Sequence, residues 1–110
     1  MGQVFRDITI SFDGAEYTIT PSNRLLRSID AGLVPDTLIS VAQSAGSGWP
    51  LPALAYITSR LIEAAGGKAD EDQVYAVLFH DVTDNEAKTV RAIVSALNVI
   101  LAPPKPVKNS

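Results

Sequence analysis

The chain has 110 residues, of which 46% are hydrophobic and 19% charged, a balance typical of one globular domain rather than of a disordered chain. It contains no cysteine, which excludes disulfides, thiolate metal sites and cysteine nucleophiles. The formal net charge of −3 argues against a general polyanion binder.

Neither a membrane segment nor a secretion signal is predicted. No apolar run approaches the roughly 20 residues that a membrane helix needs. The start of the chain lacks the basic block and the apolar stretch of a signal peptide. We therefore expect a cytoplasmic protein that does not contact a membrane.

The first predicted element is a β-hairpin. Ile8, Ile10 and Phe12 alternate with hydroxyl side chains, which is the two-residue period of a half-buried strand. The Asp13-Gly14 dipeptide that follows suits a two-residue type I′ turn. With the turn there, the large apolar side chains share one face. The predicted pairs are Phe12 with Ala15, Ile10 with Tyr17, Ile8 with Ile19 and Thr9 with Thr18.

Two helices and a loop are predicted after the hairpin. Pro21-Ser22 begins the first predicted helix, and Gly32 ends it. Pro35-Asp36 opens the second helix, with Asp36 as its N-cap. Residues 46–52 contain two glycines and two prolines, so they predict a loop.

The middle of the chain predicts two further helices. The third helix is expected from about Pro52 to Ala65, and Gly66-Gly67 ends it. Asp70 is the predicted cap of the fourth. The run Val74–Phe79 within that helix also suits a buried strand because it is rich in β-branched and aromatic residues. The cap and the acidic first turn favour the helix.

The last predicted helix is the longest, spanning about residues 84–102. Thr83 and Glu86 have the spacing of a capping box at its start, and Pro103 cannot continue it. Residues 103–110 are predicted to be a disordered or extended tail containing proline and lysine. The sequence thus predicts a single α+β domain over residues 1–102, with an N-terminal β-hairpin followed by four to five α-helices packed as a small helical domain.

No group of residues predicts a catalytic, metal or cofactor site. His80 is the only histidine, and on a helix its neighbour Asp81 points about 100° away from it. Residues 70–72 lack the ligand spacing of an EF-hand, and the glycine-containing loops at 46–48 and 66–68 lack that of a P-loop. The basic residues are scattered, so no helix has a nucleic-acid-binding face. We therefore expect no enzymatic activity, cofactor, small-molecule substrate or nucleic-acid partner.

Apolar residues outside the main helical stripes are the remaining functional signal. They either fill the core and the joints between helices or form a surface for self-association or for a partner. The candidate partner-binding residues lie in the proline-rich loop, the fourth helix and the last helix. They are Trp49, Leu51, Tyr75, Phe79, Ala92, Ala96 and Val99.

Several short patterns follow one another along residues 8–102. They are Ile-x-Ile-x-Phe-Asp-Gly-x-Glu-Tyr-Thr-Ile-x-Pro (8–21), Leu-Leu-x-x-Ile-Asp (25–30), Leu-Pro-Ala-Leu-Ala-Tyr-Ile (51–57), Ala-Ala-Gly-Gly-Lys (64–68) and Asp-Glu-Asp-Gln-Val (70–74). A long final helix completes the order. This order resembles that of the tail assembly chaperones of long-tailed bacteriophages, including the related proteins of gene transfer agents.

The resemblance implies a non-enzymatic protein in the cytoplasm of a bacterial host. Such a protein binds the tape measure protein, keeps it soluble, helps to recruit tail tube subunits and is absent from the mature virion. Since many copies along one helical rod gain avidity, we expect a homo-oligomer. Many members also have a longer, frameshifted form, and Pro103-Pro104-Lys105 can be encoded by a slippery run of C and A.

Two other functions remain open at this point. One is a structural phage morphogenesis protein, such as a tail completion or head–tail connector protein. The other is a small acidic regulatory protein that binds a host factor. Detection in purified virions would favour the first, and the gene neighbourhood would separate both from a chaperone.

Overall fold

A computed structural model describes residues 7–34, 36–44 and 50–101. These residues form an antiparallel β-hairpin followed by five α-helices, which confirms the predicted fold class. The elements are β1 (Ile8–Phe12), β2 (Ala15–Ile19), α1 (Asn23–Leu33), α2 (Leu38–Ser44), α3 (Leu51–Ala64), α4 (Glu71–Asp84) and α5 (Lys88–Leu101). Trp49 and the predicted tail 103–110 lie outside the described residues.

The hairpin has the register that the sequence predicts. Ile8 pairs with Ile19, and Ile10 pairs with Tyr17. The turn residues Asp13 and Gly14 have φ values of 50° and 83°, as a type I′ turn requires. The strands bury Ile8, Ile10, Phe12 and Ile19. One face of the hairpin is therefore apolar and must be covered by helices.

Helices α3 and α5 cover that face. α5 packs against β1, and α3 packs against β2. α4 lies against both α3 and α5, while α1 and α2 close the remaining sides. The core is formed by apolar residues from the hairpin and all five helices. Its largest fully buried side chains are Ile10, Ile19, Ile29, Leu38, Leu54, Ile57, Leu61, Ile62, Leu78, Ile93, Leu97 and Ile100.

Several predicted helix ends are confirmed. Ser22 caps α1, since its Oγ accepts a hydrogen bond from the third residue beyond it. Gly66, with φ of 90°, ends α3. Asp70 caps α4 because its Oδ1 accepts a hydrogen bond from the Asp72 N–H at 2.9 Å. Val74–Phe79 lies entirely within α4, so the helix and not the strand forms there.

The predicted cap of α2 is wrong. Asp36 does not cap this helix, which begins at Leu38. Instead, the Thr37 N–H donates to Ser40 Oγ at 2.9 Å, and the Ser40 N–H donates to Thr37 Oγ1 at 3.1 Å. Asp30 of α1 also accepts a hydrogen bond from the Leu38 N–H at 2.8 Å. The N–H groups at the start of α2 therefore donate to the local hydroxyl groups of Thr37 and Ser40 and to the carboxylate of Asp30 from the preceding helix.

The predicted start of the last helix is also wrong. α4 continues through Asp84, and the Thr83 hydroxyl donates back to the Phe79 carbonyl at 3.1 Å instead of capping α5. Glu86 and Ala87 have φ values of 57° and 59°, so the backbone leaves the helical region between α4 and α5. α5 therefore begins at Lys88, and the capping box is not formed.

Candidate functional site

The predicted partner-binding residues that the structure describes fall in three places. Leu51 begins α3 and is half buried against the core, so it offers little free surface. Tyr75 and Phe79 lie together on α4. The residues from α5 line one groove beside β1. They are Ala92, Ala96 and Val99.

Tyr75 and Phe79, which we call the α4 aromatic pair, form an exposed stack. Their ring centroids are 6.5 Å apart, with an angle of 24° between the ring planes. Tyr75 is 39% exposed and Phe79 is 46% exposed. Their four-residue spacing places them on one face of the helix. Because Val74 and Leu78 of the same helix are buried, α4 is anchored in the core while the pair faces solvent.

Acidic side chains lie next to the α4 aromatic pair. Glu71 and Asp72 occupy the first turn of α4, four and three residues before Tyr75. Both are exposed, and neither belongs to an ion pair within the described residues. On the other side, His80 meets Phe79 edge to face, with ring centroids 5.9 Å apart. The pair is thus an apolar surface with negative charge at one end.

A second surface is the groove between β1 and α5. It has a volume of about 500 Å³. Its lining residues are Asp7, Ile8, Thr9, Ala92, Ser95, Ala96 and Val99. Val99 is 43% exposed, whereas Ala96 is 9% exposed and belongs mainly to the core. The wall formed by α5 therefore consists largely of small side chains.

The β1 side of this groove is a free strand edge. Phe12 and Ala15 flank a two-residue turn, so they form a hydrogen-bonded pair, and pairs alternate from there along the hairpin. The N–H and C=O groups of Thr9 and Ser11 consequently point away from β2. Within the described residues they have no backbone partner. An extended segment could add to this edge.

Sequence analysis missed two exposed apolar residues at the joint between α1 and α2. Val34 is 76% exposed and Ile39 is 54% exposed, the two largest values among the exposed large hydrophobic residues. A signal for Ile39 was available, because it lies off the stripe formed by Leu38 and Val41 on α2. Val34 lies beyond the end of α1, where helical periodicity gives no information.

Asp81 is the only buried carboxylate among the residues that the structure describes, being 5% exposed. Its carboxylate accepts hydrogen bonds from the Asn85 side chain, at 2.8 Å, and from the first turn of α5. Burial would raise the pKa of Asp81, but the hydrogen bonds from Val90, Asn85 and Thr89 outweigh it, so the pKa is lowered. These bonds make Asp81 a helix cap, a structural role that sequence analysis did not predict.

No metal site is present in the described part of the chain. No three histidine, aspartate or glutamate side chains come together there. His80 Nδ1 and Asp84 Oδ2 are 3.6 Å apart, and both side chains are largely exposed. Within residues 7–34, 36–44 and 50–101, none of the helices has the length and apolar character needed to cross a membrane.

Comparisons with known proteins find no relative of the chain. No protein-family model, no curated protein and no solved structure matches it. Its function is therefore inferred from the α4 aromatic pair, the groove beside β1 and the order of its sequence patterns.

Proposed function

We propose that this protein is a tail assembly chaperone of a long-tailed bacteriophage or of a gene transfer agent. It binds the tape measure protein, keeps it soluble and helps to recruit tail tube subunits. The observation that carries the proposal is the α4 aromatic pair, two stacked rings that face solvent from a helix anchored in the core. The order of sequence patterns over residues 8–102 supports it.

The α4 aromatic pair suits a client with an apolar helical stripe. A long amphipathic helix aggregates through its stripe until another chain covers it. Two rings spaced four residues apart form a ridge on α4, and such a ridge can pack into the groove between the side chains of a second helix. Binding through this face needs no catalytic residue, so the protein acts without an enzymatic step.

The size of the surface indicates weak individual contacts. Covering the exposed parts of both rings removes about 150 Å² of apolar surface, worth about 4 kcal/mol. Association itself costs at least about 4 kcal/mol in lost translational and rotational freedom. One contact is therefore too weak for stable binding, whereas many copies on one rod gain avidity. We accordingly expect homo-oligomers in the host cytoplasm that dissociate before the virion is complete.

Co-purification tests the proposal. The tagged chain is co-expressed with the tape measure protein of the same genome, and the captured tape measure protein is quantified. We expect the Tyr75→Ser/Phe79→Ser variant to capture at least about tenfold less than wild type, because the apolar contact is lost. The matched control is Val34→Ser/Ile39→Ser, which removes two exposed apolar side chains elsewhere.

Three results would contradict the proposal. They are equal capture by wild type and the α4 variant, equal losses in the α4 variant and the control, and no capture by wild type. Circular dichroism melts of each variant ensure that a loss of capture is not a loss of folding. The four substituted side chains are half exposed or more exposed than that, so we expect both the α4 variant and the control to remain folded.

The free edge of β1 favours a second candidate function. A structural morphogenesis protein, such as a tail completion or head–tail connector protein, could join a neighbour by strand addition at Thr9 and Ser11. Such a protein stays in the particle, whereas a chaperone leaves. Mass spectrometry of purified virions separates the two, since stoichiometric amounts of this chain would favour the structural protein.

A further inference from the structure

Negative charge is concentrated in and around α4. Residues 70–86 contain six of the twelve acidic residues of the chain and none of its nine lysines and arginines. The acidic residues of this segment are Asp70, Glu71, Asp72, Asp81, Asp84 and Glu86. The remainder of the chain has nine basic and six acidic residues, so it is net positive. The acidity is therefore a property of one segment and not of the whole molecule.

Helix stability accounts for only part of this pattern. Glu71 and Asp72 lie at the N-terminus of α4, where the helix dipole favours negative charge. Asp84 lies in the last turn, where the dipole favours positive charge, and no lysine or arginine accompanies it. Among the described residues, the basic side chain in contact with it is His80, whose Nδ1 lies 3.6 Å from Asp84 Oδ2. Negative charge is thus present at both ends of α4.

The two carboxylates that precede Tyr75 are not neutralised within the described residues. The close contacts between acidic and basic side chains there are Arg60–Glu63 and His80–Asp84. Glu71 and Asp72 belong to neither, and they precede Tyr75 by one turn on the same helix face. The apolar rings and the unpaired carboxylates therefore face solvent together, and a partner must match both.

We propose that the α4 aromatic pair binds an amphipathic helix of the partner whose apolar stripe is flanked by lysine or arginine side chains. This inference rests on the proposed function and specifies the chemistry of the bound segment. The stripe covers Tyr75 and Phe79, while the flanking cations meet Glu71 and Asp72. Complementary charge of this kind raises association rates and rejects helices with acidic flanks.

A second copy of this chain fits the surface less well. The helices that carry exposed basic residues are α1 (Arg24, Arg27), α3 (Arg60) and α5 (Lys88, Arg91). Among the described residues of these three helices, Val99 of α5 is the one large apolar side chain that is exposed. No basic helix of a second copy thus offers a stripe of several large apolar side chains, which favours a helix of a different partner.

Two designed peptides test the inference. Each is an amphipathic helix of about 28 residues, long enough to be helical alone, with the same leucine and alanine stripe. The flanking positions are lysine in one peptide and glutamate in the other. Because one contact is weak, several copies of each peptide are displayed on one carrier, and binding of the carrier to the immobilised full-length chain is measured by biolayer interferometry over a range of salt concentrations. Sedimentation velocity of the chain alone is recorded under the same conditions.

The variants separate local charge from net charge. Glu71→Gln/Asp72→Asn removes the two carboxylates beside Tyr75. The control, Glu16→Gln/Asp36→Asn, makes the same change in net charge at exposed positions outside α4. We expect the lysine peptide to bind at least about tenfold more tightly than the glutamate peptide. Glu71→Gln/Asp72→Asn should weaken binding of the lysine peptide about fivefold, and Glu16→Gln/Asp36→Asn should weaken it less than twofold. Tyr75→Ser/Phe79→Ser should abolish binding of the lysine peptide.

Four other results would each overturn the inference. Equal binding of both peptides, lost in the Tyr75→Ser/Phe79→Ser variant, rules out selection by charge but leaves the proposed function standing. Equal weakening in the two charge variants shows attraction to the whole molecule instead of to α4. Binding of neither peptide rules out this helix chemistry, and co-purification of the tape measure protein then decides the proposed function separately. Self-association lost in the Tyr75→Ser/Phe79→Ser variant shows that a second copy covers the pair.

Discussion

Asp81, near the end of α4, binds the start of α5 through the backbone N–H of Val90, which donates to Oδ2 at 2.8 Å. The neighbouring Thr89 N–H donates to Oδ1 at 3.0 Å. The backbone carbonyl of Asp81 also accepts from the Ala87 N–H at 2.8 Å. One residue therefore fixes the turn between the two helices.

Loss of the Asp81 carboxylate should destabilise the fold. We expect Asp81→Ala to lower the free energy of unfolding by about 2–3 kcal/mol, because N–H groups at the start of α5 lose a charged acceptor. Urea denaturation measures the change. The matched control is Asp84→Ala, which removes an exposed carboxylate from the same helix and should change stability by less than about 0.5 kcal/mol. Equal effects of the two substitutions would contradict the cap.

The same carboxylate predicts acid sensitivity. The pKa of Asp81 is lowered in the folded protein, so its contribution to stability is complete above the unfolded value of about 3.9 and is lost as pH falls through the lower folded value. The stability difference between wild type and Asp81→Asn should therefore shrink below about pH 4. Urea titrations between neutral and acidic pH test this. A difference that is constant with pH would contradict the assignment.

Gly32 of α1 should resist substitution because Tyr56 of α3 lies against it. Alanine is usually better than glycine in a helix by about 1 kcal/mol. A Cβ at Gly32, however, would overlap the hydroxyl and ring of Tyr56. We expect Gly32→Ala to be about 1–3 kcal/mol less favourable in wild type than in a Tyr56→Ala background, where only the helix preference for alanine remains. A double-mutant cycle that shows the same effect in both backgrounds would disprove the contact.

Replacing the hydroxyl of Thr58 should stabilise the protein. Thr58 is fully buried in α3, and its Oγ1 has no hydrogen-bond partner within the described residues. Thr58→Val keeps the shape and removes an unsatisfied polar group, so we expect a gain of about 1 kcal/mol in thermal or urea unfolding. In contrast, Thr83→Val, which deletes a hydroxyl that donates to the Phe79 carbonyl, should give no gain. A loss of stability in Thr58→Val would show that the hydroxyl has a partner.

Sequence analysis predicts the features that depend on neighbouring residues. It fails where a contact with a residue farther along the chain determines the structure. The hairpin register follows from Asp13-Gly14 and strict alternation, so it is confirmed pair by pair. The predicted start of α5 is wrong because the residue that caps this helix, Asp81, belongs to the preceding helix. It reaches α5 across a turn in which Glu86 and Ala87 have positive φ. A local Thr-x-x-Glu pattern carries no information about that long-range contact.

The candidate site shows the same division. The four-residue spacing of Tyr75 and Phe79 is visible in the sequence, but their exposure depends on which side of α4 meets α3 and α5. Leu51 and Ala96 lie mostly against the core for the same reason, since packing decides which apolar residues remain outside. Val34 escaped prediction because it follows the end of a helix.

The soluble fraction of the tape measure protein during co-expression tests the central claim most directly. It is measured after centrifugation of lysates that contain wild type, Tyr75→Ser/Phe79→Ser or Val34→Ser/Ile39→Ser at equal levels. We predict that wild type and Val34→Ser/Ile39→Ser keep the tape measure protein in solution, whereas the folded α4 variant leaves it in the pellet. A tape measure protein that is equally soluble with the α4 variant, or insoluble with wild type, would contradict the account.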